Sequence, residues 1–157
     1  MSNNTKVVLA VTGQHEWPKP NQSYERVLTK FQFKEPNISK FFNNILHNQE
    51  FDLYGFIKPG FSFCHDGVLE EIVTVFNSNE NIGAMYCDYR IGEKQYYLDP
   101  FDYRISPPNT SVFINSKALT NLKFIDNDDM FANIFTQLIN QKFLIIHIAQ
   151  MLLESNA

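Results

Sequence analysis

Apolar residues fall along this chain in two rhythms. Val7–Val11, Leu53–Ile57, Ile82–Tyr86 and Ser111–Ile114 are short, nearly continuous apolar runs, the pattern of strands covered on both faces. Val27–Phe33 (VLTKFQF) alternates instead, as a strand with one wet face does. The other rhythm is helical. Asn37–Glu50 carries Ile38, Phe41, Phe42, Ile45 and Leu46 at helical spacing, and Asp66–Phe76 carries Val68, Leu69, Ile72, Val73, Val75 and Phe76. Met130–Gln141 carries Phe131, Ile134, Phe135, Leu138 and Ile139. Asp66 is the expected cap of the second helix, with Glu70 and Glu71 in its first turn, and Ser116 the expected cap of a short helix through Leu122. Phe143–Ile148 reads as a final strand. Residues 13–23, with Pro18 and Pro20, form a loop, and Lys58-Pro59-Gly60 makes a sharp stop. Residues 92–109 read as irregular, with a short edge strand over Gln95–Leu98. Strands alternating with helices predict an α/β fold, a mostly parallel central sheet with helices on both faces. Val7–Val11, Leu53–Ile57 and Ile82–Tyr86 are expected in its interior, in a single domain over 1–157.

Composition adds a core of unusual content. Of 157 residues, 44% are hydrophobic, and 15 Phe, 7 Tyr and 1 Trp imply a thick aromatic core, a hydrophobic partner surface, or both. Thirteen basic against 17 acidic residues give a net charge of -4, which argues against a nucleic-acid backbone as partner. Cys64 and Cys87 sit among apolar neighbours and read as reduced, unbridged core thiols. No short-spaced Cys or His pair suggests zinc. VVLAV and FLIIHIAQMLL are too short or too interrupted to span a bilayer, and no secretory core precedes them. The expected location is cytoplasmic, meaning the host cytoplasm or the virion for a viral protein.

Three segments resemble a known family. They are ISKFFNNILHNQEFDLYGFIKPG, FCHDGVLEEIVTVFNSNENIGAMYCDY and TSVFINSKALTNLKFIDNDDMFANIFTQLINQKFLIIHI, together covering roughly residues 38–148. They resemble the central and C-terminal parts of a family 2-type glycosyltransferase domain of the GT-A fold. The resemblance implies that Asp129 stands where inverting members hold a catalytic base, with Asp128 as its acidic neighbour. It also implies a donor side formed by Trp17 stacking on a base, Glu16 accepting from a ribose hydroxyl, Lys58 facing phosphate, and Asp88 at a strand end. One departure matters most. Members place acidic residues after the strand matching Leu53–Ile57 to hold a divalent ion, whereas this chain has Lys58-Pro59-Gly60. A lysine cannot ligate Mg²⁺, so no metal site and no cofactor are expected. The N-terminal half is also short for the family.

Each candidate has a plainer reading. Asp126, Asp128 and Asp129 also suit a helix N-terminus by capping and dipole. Trp17 and Glu16 also suit a surface loop. Asp88 lines a cleft with Tyr89 and Arg90, or turns the chain at the surface. His65 and Asp66 point apart on a strand, and His147, among three isoleucines, reads as structural. The functional expectation is a degenerate, glycosyltransferase-like domain, a pseudoenzyme with a binding or assembly role. Its partner would be a protein or larger assembly, with a nucleotide sugar as candidate ligand. The alternative is a small active transferase moving a sugar from a nucleoside diphosphate to a hydroxyl. A third reading is an unrelated α/β protein that imitates the pattern. Enzymatic activity is left open.

Overall fold

The computed structural model describes residues 7–12, 27–33, 52–57, 61–65, 67–97, 111–119, 121–123 and 130–155. Eight strands and three helices lie within them: β1 (Val7–Thr12), β2 (Val27–Phe33), β3 (Leu53–Ile57), β4 (Ser62–Phe63), α1 (Val68–Ser78), β5 (Ile82–Ile91), β6 (Lys94–Tyr96), β7 (Ser111–Asn115), α2 (Ser116–Leu119), α3 (Met130–Asn140) and β8 (Leu144–Ser155). The strands form one sheet in the order β2-β1-β3-β7-β5-β8-β4, with β6 paired to β5. The three strands expected in the interior are there, each flanked on both sides.

The expected mostly parallel sheet with helices on both faces is corrected. Three pairings are parallel, β1·β2, β1·β3 and β5·β8. Four are antiparallel, β3·β7, β5·β7, β4·β8 and β5·β6. The sheet is mixed and curls into a half barrel, and strands outweigh the few described helices. The cause is local. β7 enters antiparallel between β3 and β5, and β5 continues past Tyr86 to fold back as a hairpin with β6. Gly92, at φ +58, makes that hairpin turn in a conformation glycine adopts without cost. The GT-A α/β description goes with this correction.

Two apolar layers hold the sheet. On one face Leu53, Ile57, Met85, Cys87 and Phe113 pack with Val68, Leu69, Ile72 and Val73 of α1. On the other Tyr54, Phe56, Ala84, Tyr86, Val112 and Ile114 pack with Phe131, Ile134, Phe135 and Leu138 of α3. The alternation along β3 and β5 sends neighbouring residues to opposite layers, as the pleat requires. Phe135 and Ile134 are fully buried, and each such side chain stabilises the fold by roughly 1.5–3 kcal/mol. Gly83 is where α3 meets β5. A Cβ there would lie 2.6 Å from the Phe143 Cβ and 3.2 Å from a Leu138 methyl. The helix ends in a Schellman turn, with Lys142 at φ 68 and the Phe143 amide donating to the Leu138 carbonyl at 3.0 Å.

Two expected caps are also corrected. The N-cap residue of α1 is Gly67, with no side-chain bond to the helix; Asp66 lies outside the described residues. The turn before it is held by His65, whose Nδ1 accepts from the Gly67 amide at 3.0 Å. At α2 the cap is Asn115 and not Ser116: the Asn115 Oδ1 accepts from the Lys117 amide at 3.0 Å. A buried amide at that point does a second job, donating to the Ile82 carbonyl at 2.9 Å. The expected helix over Asn37–Glu50 lies outside the described residues.

Candidate functional site

Of the predicted site residues, Asp88 alone falls within the described structure. Trp17, Glu16, Lys58, Asp128 and Asp129 lie outside it, as does the Lys58-Pro59-Gly60 turn. Asp88 sits near the end of β5 and is 3% exposed. Its Oδ1 lies 2.7 Å from Nε2 of His147 on the neighbouring parallel strand β8, and both side chains are buried. A carboxylate only accepts, so Nε2 carries the proton and donates. The imidazole also lies 5.0 Å from the Tyr86 ring, which in turn meets Phe135 at 5.7 Å. His147, read as structural, therefore has a specific acidic partner 59 residues away in sequence. Asp88 does not turn the chain at the surface, for β5 runs on through it to Ile91 and it is buried.

Further along the same strands, two residues on along β5 and seven along the bulged β8, stands a second acid–base pair. Arg90 donates through Nε to Glu154 at 2.9 Å, and through its terminal nitrogen to the same carboxylate oxygen. This pair is solvent-facing, at 44% and 25% side-chain exposure. Hydrogen bonding and attraction to Glu154 raise the guanidinium above its usual value. Beside the pair runs an aromatic row. Phe61 meets Tyr89 edge-on at 5.6 Å, Tyr89 stacks on Tyr96 at 4.9 Å, and the Lys94 ammonium lies 5.0 Å over Tyr96. Tyr97 follows with 70% of its surface exposed.

The two cysteines flank β8, Cys87 on β5 and Cys64 just after β4, and both are free thiols. With a strand between them their backbones are about 10 Å apart, beyond the span of a disulfide. Burial pushes the Cys87 thiol up to about 12, against a partial offset from the Ser111 hydroxyl 3.7 Å away. Cys64 is only half-buried, so the expectation of two core thiols holds for one of them. Burial also raises Cys64, followed by Glu154, while Arg90 pulls it down.

An open groove of about 240 Å³ lies at the other end of the sheet, lined by Asp52, Asn77, Glu80, Asn115, Ser116 and Lys117 beside Phe76. It sits at the amino ends of β3 and β5. Six residues of strand, about 20 Å, separate it from Asp88. Sequence reasoning placed ligand contacts at carboxyl ends and missed this groove. Its residues carry no motif, and only the β3–β7 pairing brings Asp52 beside Ser116, whose amide donates to the Asp52 carbonyl at 3.0 Å.

No family model matches the sequence, and no curated protein matches it. A solved structure shares the fold. The crystal structure of A197 from STIV superposes with a TM-score of 0.54 at 8% identity, over 92% of this chain and 82% of that one. A structure titled as a glucose-1-phosphate thymidylyltransferase from Bacillus anthracis in complex with a sucrose superposes with a TM-score of 0.46 at 11% identity, over 83% of this chain and 60% of that one. At 8% identity the likeness to A197 is one of fold alone. Membership of glycosyltransferase family 2 has no support in these comparisons. Among the described residues no helix is long and apolar enough to cross a membrane.

Proposed function

We propose that this chain serves a binding or assembly role and does not transfer sugars. The observation that carries this reading is the commitment of Asp88. A donor or metal contact needs a carboxylate presented to the ligand, and the Asp88 carboxylate is buried against a histidine within the sheet. Its geometry closes two strands together. The exposed apolar side chains Tyr97, Ile139 and Leu144 fit a protein surface that meets a partner.

The test is calorimetric titration with UDP and GDP, with and without Mn²⁺, followed by amide spectra. The expected result is no saturable binding and no selective paramagnetic broadening. Saturable donor binding, or broadening around residues 57–61 and Asp88 that disappears on Asp88→Asn, would overturn the reading and favour an active transferase.

A further inference from the structure

We draw no further inference here: the strongest candidate, the open groove at the amino ends of β3 and β5 lined by Asp52, Phe76, Glu80 and Lys117, carries nothing, because its charged side chains are exposed and of both signs and nothing in the structure shows what occupies it.

Discussion

Two acid–base pairs join β5 to β8, and they differ in nearly everything except chemistry. Asp88–His147 is buried to 4% and 7% exposure, while Arg90–Glu154 stands at 44% and 25%. In the buried pair each partner has lost its water, so the bond between them is what keeps two polar groups tolerable inside the sheet. In the exposed pair water competes for both ends, and the bond adds little. The difference teaches that the same two strands carry a structural lock at one level and a solvated ornament at the next. Only the lock bears on whether Asp88 is available to a ligand.

The largest effect should come from breaking the lock. Asp88→Ala removes the acceptor and strands a buried imidazole among Tyr86 and its neighbours. Breaking a buried pair from one side costs about 3–5 kcal/mol, read as a lower midpoint in urea unfolding. Asp88→Asn keeps an oxygen that accepts from Nε2 and should cost less than half as much. If Asp88→Ala unfolds at the same midpoint as the parent, the pair is not structural and the comparison collapses.

The two pairs also explain what the sequence hid. Ile82–Tyr86 and Phe143–Ile148 were legible as strands because their apolar runs are unbroken, and the stripes of α1 and α3 were legible from helical spacing. Their true ends were not. β5 runs on to Ile91 and β8 to Ser155, through Asp88, Arg90 and Glu154, residues that ordinarily mark a strand's exit. Each of these side chains is answered by a polar partner on the neighbouring strand, and that answer depends on register, which one strand's sequence does not encode. The direction of β7 was hidden for a similar reason. SVFIN is buried at all five positions, a pattern that declares a covered strand without saying which way it points. The Asp88–His147 site became visible only once parallel pairing set Tyr86 against His147.

A smaller effect sharpens the contrast through pH. Cys87 lies beside Asp88, and burial, with Asp88 adding to it, raises its thiol from the usual 9.0 to about 12. In the unfolded chain the thiol ionises near its usual value while the folded chain keeps its proton. The unfolded state then binds fewer protons, so stability falls as pH rises. The contribution is fully present below about pH 9 and is lost progressively toward about 12. Cys64 and Tyr89 are raised by burial too and act in the same direction. The difference between parent and Cys87→Val isolates Cys87. The variant should show the shallower decline over that window in denaturant midpoints, and equal declines would count against a buried thiol at this level of the sheet.

The smallest effect belongs to the exposed pair, and it should appear in reactivity and not in stability. Arg90→Gln and Glu154→Gln each break a solvent-facing bond, so neither should move the unfolding midpoint resolvably in about 1 M salt, where charges are screened within about 3 Å. Cys64 provides a nearer witness. Glu154 raises its thiol and Arg90 lowers it. The thiolate is the nucleophile, so Glu154→Gln should speed alkylation of Cys64 at mildly alkaline pH and Arg90→Gln should slow it. Cys87, buried and held up to about 12, should label only after denaturation and so serves as the internal reference. Opposite changes of rate with unchanged midpoints are the signature of a pair that tunes its surroundings without holding the fold. A midpoint loss as large as that of Asp88→Ala would show that burial does not separate the two pairs.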